Sequence, residues 1–261
     1  MIPKVIYFYW GANKLSWLRY LSVLSFSKLN PSWQIKVYYT EHPVFDQHWN
    51  TGELSVQYKG KDWFPELNKI PNVELSVWDM DKHGFSNEAA EVHKADAFRL
   101  WALSEHGGIS SDFDVLYYKP VPEDLLNYDI ILSFNRELRY YSIGFIGGKS
   151  NQDMYKELLE RGRSFQMTHY QSMGPRLWNT ILPRENWWRH KNIWNMPMSF
   201  VYPHDSNHVS EIYEKGTLEK DGIGIHWYGG HRISGEWANK LTPKNYKQFD
   251  NRICNLLKEV I

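Results

Sequence analysis

The sequence has few of the features that mark secreted, membrane-spanning or strongly charged proteins. Its 261 residues include one cysteine, Cys254, so no disulfide can form within the chain and we predict a cytoplasmic protein. No window approaches the roughly 20 apolar residues that a transmembrane helix requires, which predicts no membrane-spanning segment. The short apolar run at the N-terminus is interrupted by Gly11 and Asn13 and indicates a strand, not a signal peptide.

An excess of either charge is also absent. Lysine plus arginine number 30 and aspartate plus glutamate number 30, so the surface as a whole does not attract nucleic acid or an anionic membrane. No internal repeat, low-complexity tract or flexible linker divides the chain. We therefore expect a single domain, residues 1–261, without a nucleic-acid partner.

Aromatic residues, in contrast, are abundant. They make up 16% of the chain and include 13 tryptophans. Flat aromatic faces suit sugar rings and nucleobases, but large aromatic side chains chiefly fill protein interiors. Aromatic content alone therefore identifies no ligand.

The order of the predicted elements is that of an α/β protein. Strands are predicted at residues 4–10, 34–40, 73–78, 109–116, 129–134, 142–147, 199–202 and 223–227, and helices at residues 15–29, 151–163, 171–181 and 245–260. A further helix is expected to be capped by Ser86 or Asn87 and to end at Gly107 and Gly108. The β-α-β opening favours a right-handed crossover and a Rossmann-like, mostly parallel sheet flanked by helices, with a mixed C-terminal half.

The residues most suited to chemistry lie between positions 94 and 115. Asp96 and Arg99 are three residues apart, so both project from one face of the predicted helix. Asp112 and Asp114 are two residues apart on the next predicted strand, and the period of two directs both to one side. We therefore expect these polar groups to meet near a strand end, where open α/β sheets bind ligands.

Asp112 and Asp114 favour a divalent metal. Two carboxylates about 6 to 7 Å apart repel each other in a partly desolvated cleft unless a cation or hydrogen-bond donors offset their charge. Magnesium and manganese prefer such hard oxygen ligands, and phosphate oxygens and water complete their coordination. The pair therefore predicts a divalent metal, whose charge could neutralise the phosphates of a ligand.

Taken separately, the parts of this block have simpler explanations. An Asp-x-Asp triplet is most often a pair of solvent-facing carboxylates on an edge strand. Asp96 and Arg99 could form only a local ion pair, which contributes a few tenths of a kcal/mol. It is the joint spacing of the helix pair, the Gly-Gly break and the two aspartates that favours a ligand site.

This block resembles the glycosyltransferases with a DXD-type sugar-binding region. That family includes the yeast Golgi initiating α-1,6-mannosyltransferase, the glucosylating domains of large clostridial toxins, and bacterial and viral polysaccharide enzymes. The matching residues are Asp96, Arg99, Gly107, Gly108, Ile109, Asp112, Asp114 and Val115. The sequence departs from the usual pattern at Ser110, Ser111 and Phe113, which affects the expected shape of the donor sugar more than metal binding. The N-terminal strand through Trp10 resembles the family's opening strand, and weaker similarity extends to residues 142–147, 174–175, 225–227 and 235–237.

The resemblance implies a GT-A fold and a specific set of site residues. It implies a metal-dependent, retaining transfer of a hexose or related sugar from a nucleotide-sugar donor to a glycan, a glycoprotein or another hydroxyl acceptor. The implied donor-binding residues are Phe8, Trp10, Asp96, Arg99, Asp112 and Trp237, with Trp10 on the nucleobase and Trp237 in a mobile closing segment. The implied ligands of Mn²⁺ or Mg²⁺ are Asp112, Asp114 and His226, and the implied catalytic residues are Asp112, Asp114 and Arg99. The lack of a predicted membrane anchor favours a bacterial or viral origin and a cytoplasmic acceptor.

Two other functions remain open at this point. A nucleotidyltransferase that makes nucleotide sugars shares the fold type and the metal, but it needs a glycine-rich basic loop near the first strand, and residues 11–14 form a poor version of it. A carbohydrate-binding module would use the aromatic surface without chemistry. Asn135 and Glu137 could border a transferase site, whereas Cys254 is expected to pack in a C-terminal helix.

Overall fold

A computed structural model describes residues 1–11, 13–45, 54–135, 139–181, 192–218 and 220–261. Within these ranges a seven-stranded sheet has the strand order β3-β2-β1-β4-β7-β6-β8. Its strands are β1 Val5–Trp10, β2 Gln34–Tyr39, β3 Val73–Val77, β4 Gly108–Ser111, β6 Ile130–Asn135, β7 Tyr140–Gly148 and β8 Ile193–Asn195. A two-stranded antiparallel sheet pairs β5 Val115–Tyr117 with β9 Gly224–His226.

The central sheet is mostly parallel. Strands β1 to β4 run in one direction, β7 runs antiparallel to both β4 and β6, and β8 is parallel to β6. The described α-helices are α1 Trp17–Leu29, α2 Glu91–Glu105, α3 Asp153–Ser164, α4 Leu177–Ile181, α5 Val209–Ile212, α6 Arg232–Lys240 and α7 Arg252–Val260. The prediction of an α/β protein with a mostly parallel sheet flanked by helices is confirmed.

The alternation of side chains along β1 supports a hydrophobic core on each side of the sheet. Phe8 belongs to a cluster that includes Phe26 of α1. Tyr7 belongs to a second cluster that includes Phe98 of α2. Successive side chains of a strand point to opposite faces, so α1 and α2 cover different faces of the sheet and flank the carboxyl end of β1.

The β-α-β opening has a simple local origin. Ser16 accepts a hydrogen bond from the backbone N–H of Arg19 at 3.2 Å, which satisfies one of the free donors at the start of α1. Asn30 caps the end of the helix, its backbone N–H donating to the carbonyl of Phe26. The chain then returns as β2, parallel to β1, as predicted.

The start of α2 differs from the prediction. The helix begins at Glu91, and its cap position is Ala90. Asn87 instead serves the preceding turn: its amide donates to Asp79 Oδ1 at 2.8 Å and its carbonyl accepts from the backbone of Met80 at 3.1 Å. The predicted cap at Ser86 or Asn87 was wrong because a tertiary turn uses the Asn87 side chain.

Two strand predictions were also wrong. The predicted strand at 109–116 is divided into β4 and β5, with a turn at residues 112–114. The predicted strand at 199–202 is largely a 3₁₀ helix, Met198–Phe200, while β8 lies a few residues earlier. Short apolar runs do not distinguish a strand from a tight helical turn.

None of the helices in the described ranges is long and apolar enough to cross a membrane.

Phe98 offers a direct test of the packing between α2 and the sheet. Its side chain is 1% exposed, and its ring lies 4.9 Å from that of Tyr38 and 5.5 Å from that of Trp78, centroid to centroid. We expect Phe98→Ala to lower the free energy of unfolding by about 3–5 kcal/mol, because it removes buried area and leaves a cavity. Urea denaturation measures the change. Phe45→Ala is the matched control, since Phe45 is 55% exposed; an equal loss in both variants would contradict this account of the core.

Candidate active site

Asp112 and Asp114 lie in the turn between β4 and β5, not on a continuous strand. The backbone N–H of Asp112 donates to the carbonyl of Gly144 in β7 at 2.7 Å, and the carbonyl of Asp114 accepts from the backbone of Trp227 at 2.8 Å. The turn is therefore held on one side by the central sheet and on the other by the β9 segment. The predicted convergence of the two carboxylates comes from this turn, and not from the period of a strand.

His226, the last residue of β9, meets both carboxylates. Its Nε2 lies 3.1 Å from Asp114 Oδ1 and 3.7 Å from Asp112 Oδ2. One ligand atom from each of the three residues lies within 4.8 Å of the others. The structure thus brings together the three predicted metal ligands, from positions more than a hundred residues apart.

The atoms of this cluster fit a divalent cation. Asp114 Oδ1 and His226 Nδ1 are buried and form no hydrogen bond within the described residues. Burial lowers the pKa of His226, but Asp114 and Asp112 outweigh it and raise that pKa to about 9. The negative field that holds a proton on the imidazole would equally hold a metal ion. Two carboxylates and one imidazole suit manganese and, with added water, magnesium.

Arg99 fixes the position of Asp112. Its Nη2 donates to Asp112 Oδ1 at 2.8 Å, and its Nη1 donates to the carbonyl of Ile143 at 2.5 Å. Its Nε lies 3.2 Å from Asp96 Oδ1. Asp96 and Arg99 are each 5% exposed. Burial raises the pKa of Asp96 to about 7, although the charge of Arg99 opposes the shift.

The turn that follows β9 completes the surroundings of Asp114. Tyr228 has a left-handed φ of 52°, which costs energy for a residue with a side chain. The next residue, Gly229, donates its backbone N–H to Asp114 Oδ2 at 2.6 Å. The strained conformation thus orients a donor toward one oxygen of Asp114, while the other oxygen faces His226.

The remaining predicted residues occupy different environments. Trp10 is half-buried at the end of β1, and its ring meets that of Phe113 edge-on at 5.4 Å. Phe8 is fully buried and packs on the other side of this region, 5.1 Å from Phe113, so it supports the turn from within the core. Trp237 of α6 stacks on Tyr213 with ring centroids 5.3 Å apart. Trp237 therefore packs against Tyr213, in the C-terminal half of the chain, in this structure.

Asn135 ends β6, and Glu137 lies outside the described residues.

Two residues near the site, Tyr202 and Arg19, were not predicted by the sequence analysis. The ring of Tyr202 lies 5.1 Å from that of His226, and its buried hydroxyl has no hydrogen-bond partner within the described residues. Burial and the charge of Asp112 raise the pKa of Tyr202 well above its usual value. The guanidinium carbon of Arg19 lies 4.8 Å from the centre of the Trp10 ring. Arg19 could have been found from its place early in the helix after β1, since the carboxyl edge of such sheets binds ligands.

Comparison with known families identifies the enzyme class. A family model described as the glycosyltransferase sugar-binding region containing a DXD motif matches residues 20–133. The matched segment contains Asp96, Arg99, Asp112 and Asp114. The chain is a glycosyltransferase. As such it takes its sugar from a nucleotide-sugar donor, in agreement with the resemblance noted in the sequence.

One solved structure supports the fold of this glycosyltransferase, and a second is less similar to it. The PaToxG glycosyltransferase is similar over 71% of this chain and 69% of its own, with 20% identity and a TM-score of 0.50. The galactosyltransferase LgtC, solved with donor and acceptor sugar analogues, covers 94% of this chain and 99% of its own at 14% identity and a TM-score of 0.49. No protein with a curated description matches the sequence.

Gly144 tests how closely the glycosyltransferase site is packed. A Cβ at this position would lie 2.5 Å from Asp112 Oδ2 and 3.0 Å from the hydroxyl of Tyr202. We expect Gly144→Ala to displace the Asp112 carboxylate and weaken Mn²⁺ binding about 10- to 100-fold, the range seen when the support of a metal ligand is disturbed. Isothermal titration calorimetry measures the affinity.

Gly162→Ala is the matched control for Gly144→Ala. Gly162 lies on α3, away from the aspartates, and a Cβ there would lie 2.7 Å from the terminal methyl of Met173. We expect this variant to lose some stability and to keep its Mn²⁺ affinity. Equal Mn²⁺ affinities in wild type and Gly144→Ala would show that Asp112 does not depend on this close approach.

Proposed function

We propose that this glycosyltransferase transfers a hexose or related sugar from a nucleotide sugar to a hydroxyl of a glycan or glycoprotein acceptor, with retention of configuration and dependence on Mn²⁺ or Mg²⁺. The observation that supports the metal is the meeting of Asp112, Asp114 and His226 within 4.8 Å. Residues 1–261 are proposed to act as one catalytic domain. A cytoplasmic location rests on the single cysteine, and the retaining outcome on the family resemblance.

The residues around the turn have complementary proposed roles. Asp112, Asp114 and His226 would hold a divalent ion, whose positive charge would stabilise the departing diphosphate. Arg99 holds Asp112 through a charge-assisted hydrogen bond of 2.8 Å, so the carboxylate does not need to reorganise when the donor binds. Asp96, held against Arg99, is proposed to bind hydroxyls of the donor sugar.

Trp10 is proposed to stack on the nucleobase. Its ring is half-buried at the carboxyl end of β1 and is supported from below by Phe113. An aromatic face at this place gives a rigid surface that every base can use. Trp237 is proposed to close over the donor, and that role requires it to leave its stacked position on Tyr213. The proposed site thus places the base near Trp10 and the reacting sugar near Asp112.

Asp114 is the most direct test of the metal-dependent reaction. We expect Asp114→Asn to lower Mn²⁺-dependent hydrolysis of the accepted nucleotide sugar by roughly 100-fold or more, because removing a direct ligand should exceed the effect of disturbing its support. Asp250→Asn is the matched control, since Asp250 is an exposed residue paired with Lys215. Hydrolysis is followed by release of the nucleoside diphosphate. Full Mn²⁺-dependent activity in Asp114→Asn would remove the metal site from the proposal.

A donor screen tests the substrate class without requiring an acceptor. Thermal unfolding is measured with UDP, GDP, ADP and CDP, each with Mn²⁺ and with EDTA. We expect one diphosphate to raise the apparent stability only with Mn²⁺, by about 2.7 kcal/mol at a hundred times its dissociation constant. A module that merely binds carbohydrate would respond to glycan and to none of these nucleotides.

A further inference from the structure

Arg19 lies beside the metal cluster on a different element. It is the third residue of α1, the helix that follows β1. Its guanidinium carbon lies 4.8 Å from the centre of the Trp10 ring and 5.5 Å from that of Trp227. The planar group is thus flanked by the aromatic residue at the end of β1 and by the residue that follows His226.

The Arg19 guanidinium contacts two aromatic rings but makes no side-chain hydrogen bond within the described residues. Within the part of the chain that the structure describes, none of its side-chain N–H groups forms a hydrogen bond or an ion pair, whereas its backbone N–H donates to Ser16 Oγ. Arg99, by comparison, contacts two carboxylates and a carbonyl. A guanidinium has five donors that suit planar anions such as carboxylates and phosphates. Arg19 therefore has guanidinium donors that no group in the described ranges accepts.

Gly229 connects Arg19 to the metal cluster. A Cβ on Gly229 would lie 2.6 Å from Arg19 Nη2, so the guanidinium packs directly on this glycine. The backbone N–H of the same residue donates to Asp114 Oδ2 at 2.6 Å. Burial lowers the pKa of Arg19, and the charges of Asp114 and Asp112 oppose that shift. Arg19 and Asp114 are therefore neighbours through one residue, close enough for a single ligand to touch both regions.

We infer that Arg19 binds the diphosphate of the nucleotide donor. This inference rests on the proposed function, in which the base stacks on Trp10 and the reacting sugar lies near Asp112. The diphosphate is the part of the donor that joins base to sugar, and Arg19 lies against Trp10 and next to Asp114. A guanidinium there forms charge-assisted hydrogen bonds with phosphate oxygens that a metal does not occupy. The leaving nucleoside diphosphate is held by the same contacts.

The test compares ligands that differ only in phosphate. Calorimetry with Mn²⁺ measures binding of the nucleoside diphosphate selected by the donor screen, and of its monophosphate and nucleoside. We expect Arg19→Gln to weaken diphosphate binding roughly 10- to 100-fold, the loss expected for a hydrogen bond to a charged group, and to leave nucleoside binding unchanged. Arg19→Lys keeps the charge without the planar fork. Its affinity for the diphosphate should therefore lie between those of the wild type and of Arg19→Gln.

Lys28→Gln is the matched control, because Lys28 is an exposed cation in the last turn of the same helix. It should bind all three ligands as the wild type does. Circular dichroism tests whether each variant is folded. If Arg19→Gln is unfolded, the ratio of diphosphate to monophosphate affinity is compared between Arg19→Lys and the wild type. A lower ratio in Arg19→Lys supports a contact between Arg19 and the diphosphate, and an equal ratio overturns it.

The possible failures are distinguishable. A wild-type protein that binds no nucleoside diphosphate with Mn²⁺ contradicts the proposed function itself. Wild-type binding with an unchanged affinity in Arg19→Gln overturns only the assignment of Arg19. An equal loss for nucleoside and diphosphate also overturns it, because Arg19 would then act by holding the Trp10 ring and not by contacting phosphate.

Discussion

The guanidinium of Arg99 joins the three elements that build the site. It contacts Asp96 on its own helix, Asp112 in the turn after β4, and the carbonyl of Ile143 in β7. Buried charges are costly unless they are paired and hydrogen-bonded, and this arrangement pairs one buried cation with two carboxylates and a carbonyl from separate parts of the chain. The orientation of α2 relative to the sheet and the position of the aspartate turn therefore depend on each other.

The rest of the site is assembled around that turn by close backbone approaches. Gly144 lets β7 pass directly beneath the Asp112 carboxylate, where a side chain would collide with it. Gly229 brings a backbone donor to Asp114 and also accommodates Arg19. His226 reaches the cluster because β9 pairs with β5, immediately after the turn. The carboxylates of Asp112 and Asp114 thus concentrate negative charge at one point, with the cations Arg99 and Arg19 beside it.

This arrangement of an aromatic ring, a cation and a carboxylate cluster fits a nucleotide-sugar donor, which has a base, a diphosphate and a sugar. Trp10 offers an aromatic face, Arg19 offers guanidinium donors that no group in the described ranges accepts, and the Asp112–Asp114–His226 cluster offers ligands for a cation. All three lie along the carboxyl edge formed where β1 and β4 end, which is the edge that ligands occupy in open α/β sheets. A nucleobase, a diphosphate and a sugar follow each other in the same order in a nucleotide sugar. The fold brings the groups proposed to bind these parts to one edge of the sheet.

Local sequence was sufficient for most of the strands and helices of the first half, because spacing and periodicity are local properties, and a family resemblance indicated the enzyme class. It also selected Asp96, Arg99, Asp112 and Asp114 as candidates, which the structure brings together around one turn. Local sequence failed where long-range contacts overrode local preference. The turn at residues 112–114 exists because β7 and β9 hold it, and Asn87 leaves the helix cap for a bond to Asp79. The neighbourhood of Arg19 and the orphaned hydroxyl of Tyr202 became visible only in three dimensions, since both depend on residues distant in the chain that folding places side by side.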